Sequence, residues 1–446
     1  MDSFVEKDLK YCWHPFTQMK DYESLPPILI DSAKGAKLFE SNGNYYYDTI
    51  SSWWCNVHGH NHPKINAAIK EQLKSFSHVM FAGITHKSAI ALSEKLVSIT
   101  PANLRKVFYS DNGSTSVEVA FKMSFQYWQN IGEKDKTKFV SLDAGYHGDT
   151  VGAMSVGGIS DYNRVFKPLF FESYKVPSPY CYRCPMGKDR RSCDIDCIAP
   201  LEEILKNNGK EIAAFILEPL MLGAGGIIIY PKEYLERAAQ LAKKHNVHLI
   251  ADEVATGFGR TGKMFACEHA GVEPDFMCLS KGITSGYLGL AATLTTEKIY
   301  EAFYDDYEKM TAFFHGHTYT ANALACSAAV ASLEIFESEN TLEKVGNLTG
   351  VLRDGLCRMK ELELVGDVRQ IGLIGGVELV KDKKSKEPFD LGRRIGYEVY
   401  KEGLKRHLFL RPLGNVIYFF PPFCIKKEEL QYVLDNTIEI IENLDS

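Results

Sequence analysis

The sequence predicts an α/β fold, and three observations carry the prediction. Short apolar runs recur, each stopping on polar residues: Ala213–Leu217 before Glu218, Val247–Ala251 before Asp252 and Glu253, Phe276–Leu279 before Ser280 and Lys281. Runs of this kind read as buried strands. Segments with helical spacing lie between them, as in Val117, Phe121, Phe125 and Trp128. Composition is ordinary for a globular enzyme, with 45% hydrophobic and 24% charged residues. At 446 residues the chain has room for one large domain or two to three smaller ones.

The elements follow in order. Residues 1–30 show no period and read as an irregular arm around Trp13-His14-Pro15-Phe16-Thr17. Residues 28–50 alternate and carry the turn pairs Lys34-Gly35 and Asn42-Gly43, which predicts a small strand meander. On an extended chain Trp53 and Trp54 would point to opposite sides, one into the core and one onto a pocket. His58, His60 and His62 tempt a metal reading, but Gly59 and Pro63 mark a turn, and the three read as structural histidines. A helix is expected from Pro63 to about Ser75, and a strand at Val107–Tyr109.

After that strand, Thr115 and Glu118 have capping-box spacing. Small residues ahead of a capped helix present backbone N–H groups to an anion, so Gly113 and Ser114 are candidate phosphate holders. Phe139–Leu142 and Leu290–Leu294 read as further strands, and Ala323–Phe336 as an apolar helix. From about residue 330 the pattern is helix, strands, helix, with Lys381–Lys386 as an exposed loop. Arg411 sits between apolar runs and calls for an anionic partner, either a substrate carboxylate or one from the protein.

The chemistry is concentrated in residues 247–286. Ligands in open α/β sheets bind outside the carboxyl ends of strands. Asp252 and Lys281 each stand at such an end, so the two could face one ligand. Burial frees a lysine lone pair for Schiff-base chemistry, and an aspartate can hold a cationic ring nitrogen. Pyridoxal phosphate (PLP) requires that pair. Gly257–Gly262 also matches the dinucleotide fingerprint G-x-G-x-x-G, but it is offset from the strand end and Pro274 limits any helix behind it, so a nicotinamide site is excluded.

Asp252-Glu253-Val254, Gly257-Phe258-Gly259-Arg260-Thr261-Gly262 and Ser280-Lys281-Gly282 together resemble the class III aminotransferases of PLP fold type I. The resemblance covers nearly the whole chain. It implies an aspartate aminotransferase-like large domain with a mostly parallel seven-stranded sheet and a smaller α+β domain. The implied divisions are 1–70 (arm and part of the small domain), 71–329 (PLP-binding domain, with a cysteine-containing insertion at about 178–200) and 330–446 (small domain). It assigns Lys281 to the cofactor carbonyl, Asp252 to the pyridinium nitrogen and Tyr146 to stacking on the ring. Gly113, Ser114, His317 and Thr318 would meet the phosphate, the last in trans from a second subunit, which implies a homodimer.

Within the class, Trp13–Thr17, Ser51–Trp54, Ser77–Phe81, Tyr146–Thr150 and Arg411-Pro412 resemble the branch that aminates 8-amino-7-oxononanoate in biotin synthesis. That places Phe16, Trp53, Trp54, Tyr146, Lys281, Gly316 and Arg411 around substrate, with Arg411 on a carboxylate. Many members of that branch have tyrosine where Phe16 stands, so S-adenosylmethionine and lysine both stay open as donor. An ω-amino acid aminotransferase or a PLP aminomutase would use the same scaffold, and a non-catalytic binding protein is the remaining rival.

Composition excludes other classes. Net charge is −6, which invites no nucleic acid. No apolar run is long enough for a membrane span, and the N-terminal residues lack the apolar core of a signal peptide, so a cytoplasmic protein is expected. Eleven scattered cysteines fit reduced thiols. Cys181, Cys184, Cys193 and Cys197 are clustered and are candidates for a structural zinc, against the plainer reading of free thiols in an insertion. No metal is expected at the chemistry.

Overall fold

The structure, a computed structural model, describes residues 2–444; Met1 and residues 445–446, at the outer ends of the expected segments, lie outside it. Seven strands build the central sheet: β1 Leu104–Ser110, β2 Lys138–Leu142, β3 Ser173–Val176, β4 Ile212–Leu217, β5 His248–Asp252, β6 Phe276–Leu279 and β7 Ala291–Thr296. Their spatial order is β1-β7-β6-β5-β4-β2-β3. Neighbours are parallel except where β7 pairs with β6 and β1. All residues of β4, β5 and β6 are buried. Strands covered on both faces have no polar side to show, so their sequences read as unbroken apolar runs. The parallel strands β2, β4, β5 and β6 end on one edge, and the loops leaving that edge carry the chemistry.

A second, antiparallel sheet is made by Val365–Ile371, Ile374–Asp382, Glu387–Pro388 and Val416–Phe419. Its apolar face joins Leu352 and Leu356 of the helix Thr341–Lys360 and Val433 and Leu434 of the helix Lys427–Glu442 in one core. The expected meander near the N-terminus forms from Ser32–Lys34, Lys37–Phe39 and Tyr45–Tyr47. It is stitched to the C-terminal part by Tyr47 N donating to His407 O (2.7 Å) and Phe409 N donating to Tyr47 O (3.1 Å).

Three expectations need correction. The N-terminal arm is not wholly irregular: Ser3–Tyr11 is a helix whose Asp2 cap accepts from Phe4 N at 2.7 Å. Only Val5 of it is buried, so no apolar stripe marks it in the sequence. The capping box of the long helix Gly113–Asn130 lies three residues earlier than its spacing suggested. Asn112 is the cap, exchanging hydrogen bonds with Thr115 at 3.1 Å each. Glu118 instead reaches out of the helix to Thr150 Oγ1 (2.5 Å) and Ala153 N (3.1 Å). Trp53 and Trp54 do not lie on an extended chain. The three histidines, by contrast, bond to protein groups: His58 to Ser332 O (2.9 Å), His60 to Asp48 (2.8 Å) and His62 to Glu339 (3.2 Å).

The cysteine-containing insertion is anchored by a buried charge cluster. Arg369 donates to Asp367 (2.7 Å), Glu378 (3.0 Å) and Tyr180 (2.8 Å), and to the carbonyls of Gly226 and Ile227. Glu378 also accepts from Arg183 Nε at 2.8 Å and from the Tyr180 hydroxyl. Burial pushes the Glu378 carboxyl up, but Tyr180, Arg369 and Arg183 together hold it below its ordinary value. Among the described residues no helix is long and apolar enough to cross a membrane. Removing the acid strands buried positive charge, so Glu378→Gln should destabilise the protein by about 3 kcal/mol, read as a lower thermal unfolding midpoint at neutral pH. An unchanged midpoint would refute the anchoring role.

Candidate active site

Asp252 ends β5 and stands in register with Cys278 of β6. Lys281 follows two residues beyond the end of β6. Both line one cavity of about 420 Å³, together with Gly113, Ser114, Tyr146, His147 and Glu218 from the neighbouring strand ends. The Asp252 carboxylate is fixed on both oxygens: Oδ2 pairs with His147 Nδ1 at 2.7 Å and Oδ1 accepts from Val254 N at 3.1 Å. His147 Nε2 is buried with no hydrogen-bond partner among the described residues.

Burial holds the Lys281 amine below the usual lysine range, while Asp252, Glu218 and Cys55 pull the other way. Its Nζ lies 4.8 Å from the centroid of Trp54, and its backbone is left-handed (φ 44°). Glu218 is buried and accepts from Tyr146 N and Gly223 N, each at 2.9 Å. Burial first, and the Asp252 charge second, push its carboxyl up to about 8.

The opposite end of the cavity suits an anion. Gly113 opens the helix Gly113–Asn130, whose first backbone N–H groups lack intrahelical acceptors. Gly148 passes so close that a Cβ there would overlap Ser114, and its φ of 122° suits only glycine. Ser114 Oγ accepts from Asp149 N at 3.0 Å.

The tryptophans sit on a turn that the alternation argument missed. Ser51, Ser52, Trp53 and Trp54 all have left-handed φ, from 44° to 76°. Four such residues in a row cost on the order of 4–8 kcal/mol, so the surroundings must over-determine the turn. Asp48 accepts from Ser52 N (2.8 Å) and Ser52 Oγ (2.7 Å), and Ser51 Oγ donates to Phe420 O (2.6 Å). The two rings still diverge: Trp54 is buried at the Lys281 cavity and Trp53 is 43% exposed.

Trp53 meets Phe16 edge-on at 5.6 Å, and Phe16 meets Tyr162 at 5.5 Å. Arg411 lies over Trp53 at 5.8 Å and donates to Phe16 O at 3.1 Å. Arg411 has no ion pair among the described residues, which leaves its charge without a protein carboxylate. Phe16 and Arg411 line a second, larger cavity of about 870 Å³. Gly316 and Thr318 are exposed and line neither cavity; His317 comes within 4.0 Å of Asp111 at the mouth of the smaller one.

Several features escaped the sequence reading. Glu253, the second acid after β5, turns away from the cavity: it accepts from Thr256 Oγ1, Ala266 N and Cys267 N and braces its own loop. Asn112 and Cys55 line the cavity without a motif to announce them. The Gly257–Gly262 segment is a succession of turns and opens no helix, in keeping with the exclusion of a dinucleotide site. Cys181, Cys184, Cys193 and Cys197 do surround one small space of about 20 Å³, and burial with the other three thiols raises Cys197 to about 11. Even so, among the described residues no group of three or more His, Cys, Asp or Glu side chains is arranged to hold a metal.

The family model described as aminotransferase class-III matches residues 18–441. The chain belongs to this family. It is 48% identical to the adenosylmethionine-8-amino-7-oxononanoate aminotransferase of Geobacter sulfurreducens, across 96% of this chain and 95% of that protein. The crystal structure of the Methanocaldococcus jannaschii protein of the same name superposes with a TM-score of 0.94, at 44% identity and 99% coverage of both chains. An omega transaminase of Pseudomonas jessenii in complex with PMP gives a TM-score of 0.93 at 31% identity, covering 99% and 98%. The mostly parallel seven-stranded sheet of PLP fold type I is therefore the fold of this class III aminotransferase.

The residues present fit PLP. A fixed carboxylate and a buried amine share a cavity whose far end is a helix N-terminus, and Gly113 and Gly148 leave space where any Cβ would collide. Gly148→Ala should therefore weaken PLP binding at least about tenfold by displacing Ser114, as read by absorbance titration; unchanged affinity would exclude this close approach as a requirement.

Glu218 gives a pH signature in the cofactor-free protein. Between its ordinary value of 4.5 and about 8, the folded chain keeps a proton that the unfolded chain has released. Its contribution to stability therefore falls as pH rises through that window. Thermal midpoints of Glu218→Gln should gain on wild type between about pH 5 and pH 8; parallel curves would show that Glu218 does not titrate there.

Proposed function

We propose that this protein is a PLP-dependent aminotransferase that converts 8-amino-7-oxononanoate to 7,8-diaminononanoate in biotin synthesis. One observation carries the proposal: the Lys281 amine and Asp252 carboxylate meet in one cavity at the ends of adjacent parallel strands. The 48% identity to a relative of that name supports the substrate. Bound there, PLP supplies the electron sink that stabilises a carbanion at the donor carbon.

Asp252 would hold the ring nitrogen protonated, its own orientation set by His147 and Val254 N. Lys281 would hold the cofactor carbonyl carbon until the donor amine replaces it. With burial lowering its amine toward the neutral form, it would then take the proton from the donor carbon as a base and return it as an acid. Gly113 and Ser114 would hold the phosphate from one subunit, and His317 and Thr318 from a second. The exposure of Gly316 and Thr318 in the single chain supports a homodimer with shared sites. Tyr146, Phe16, Trp53 and Trp54 would line the path of the acceptor's apolar chain, with Gly316 beside it. The unpaired Arg411 would take the acceptor's carboxylate.

The amino donor is S-adenosylmethionine or lysine, and the site of action is the cytoplasm. The decisive assay supplies 8-amino-7-oxononanoate with a panel of amino donors and measures 7,8-diaminononanoate. Product with either donor is expected; absence of product with every donor would sink the substrate and leave the family. Lys281→Ala should abolish turnover and the borohydride-fixed cofactor absorbance together.

A further inference from the structure

We propose that Cys181 and Cys184 are a peroxide-oxidisable dithiol that closes into a disulfide across the turn between them. The site lies outside the Lys281 cavity and does not depend on the aminotransferase reading. Cys181, Cys184, Cys193 and Cys197 all line one space of about 20 Å³ in the insertion. Each is a half-buried free thiol. Thiols gathered in this way serve either a soft metal ion or thiol–disulfide chemistry. A metal needs sulfurs converging on one point, and among the described residues no group of three or more is so arranged. A disulfide needs only two neighbouring thiols and a positive charge that favours the thiolate.

The surroundings single out one pair. Tyr182 and Arg183 form a turn, so the chain doubles back between Cys181 and Cys184. Two cations face the pair. Burial raises Cys181, and Arg190 opposes that rise. Asp196, and after it Cys193 and Cys184, keep the Lys188 ammonium charged, and the same attraction favours a thiolate on the sulfur side. The other two thiols are less apt. Cys193 Sγ donates to Arg190 O at 3.8 Å. Burial and the three neighbouring thiols push Cys197 up to about 11.

The turn also carries the contacts that dock the insertion. Arg183 Nε donates to Glu378 at 2.8 Å, and Tyr182 O accepts from Lys386 Nζ at 2.6 Å. Both residues lie between the two cysteines, so a Cys181–Cys184 bond stiffens the link from the insertion to the C-terminal sheet.

The chemistry needs hydrogen peroxide as the oxidant. The Cys184 thiolate attacks one peroxide oxygen; an S–O bond forms, the O–O bond breaks, and hydroxide leaves and takes up a proton as water. The Cys181 sulfur then displaces the second oxygen from the sulfenic acid. An S–S bond forms, the S–O bond breaks, and the Cys181 proton leaves with that oxygen as a second water. Two thiols are oxidised by two electrons while one peroxide is reduced to two waters.

The test uses the full chain, treated with hydrogen peroxide, denatured, alkylated and mapped by peptide mass. Cys181 and Cys184 should both escape alkylation and appear joined, with the loss of two hydrogens, and dithiothreitol should restore both. Cys12 and Cys357, exposed elsewhere on the chain, are the controls and should form no intrachain disulfide. Trypsin cleavage after Arg183 should slow on oxidation and recover on reduction. Lys188→Gln should slow formation of the bond, Cys184→Ser should abolish it, and Cys193→Ser should keep it. The proposal is overturned if Cys181 and Cys184 stay open to alkylation, if the bond joins other cysteines, if it survives in Cys184→Ser, or if the purified protein carries one zinc per chain on these thiols. The wild-type map decides by itself should a variant fail to fold.

Discussion

The site depends on the register between two neighbouring parallel strands. Asp252 of β5 faces Cys278 of β6, and β6 continues for one residue before Ser280 and Lys281. That pairing puts a carboxylate and an amine within one cavity without any direct bond between them. Sliding either strand by one residue would turn its side chains to the opposite face of the sheet. Full burial of β4, β5 and β6 prevents such a slip, because any shift would expose apolar surface. The stability of the core and the precision of the site are therefore the same constraint.

Electrostatics in the cavity follow from that burial. Three ionisable groups, Lys281, Asp252 and Glu218, share one cavity. Desolvation disfavours every charged form there. Lys281 and Glu218 both move toward neutrality. The two oxygens of Asp252 are fixed in place, one accepting from Val254 N and the other paired with His147. The cavity thus holds one carboxylate in a fixed orientation and one amine lowered toward its neutral form, the division of labour that a pyridinium cofactor and a general base require. Glu218 accepts two backbone hydrogen bonds and organises the turns at Tyr146 and Gly223.

Legibility in the sequence tracked how local each cause was. β4, β5 and β6 could be read because burial on both faces writes itself into consecutive residues. Lys281 and Asp252 could be read because strand ends and flanking text mark them. The helix Ser3–Tyr11 could not, since it buries a single residue and has no stripe. Asn112 was missed as a cap because Thr115 and Glu118 offered a better-looking box. The left-handed turn was unreadable: Ser-Ser-Trp-Trp carries no glycine to warn of positive φ, and the groups that enforce it, Asp48, Arg260 and Phe420, lie outside it. Arg260 was seen only as part of a glycine-rich motif, because its acceptors are contributed by the distant Trp54 and Phe420–Pro421 segments.

That turn also explains how two cavities of different character can adjoin. Ser52 faces the larger one, beside Phe16 and Arg411; Trp54 and Cys55 face the smaller one, beside Lys281. A strand in the same place would have sent adjacent side chains to opposite faces, but along a path of about 3.3 Å per residue. A right-handed helical turn would have swept them round one side. The left-handed turn packs four residues into a compact wall and still separates the two rings. Its strain is tolerable only because the wall is closed from three directions: by Asp48 within its own approach, by Phe420 from the C-terminal sheet, and by Arg260 from the loop after β5. Each closing group belongs to a different part of the fold, so the partition can form only once those parts have assembled.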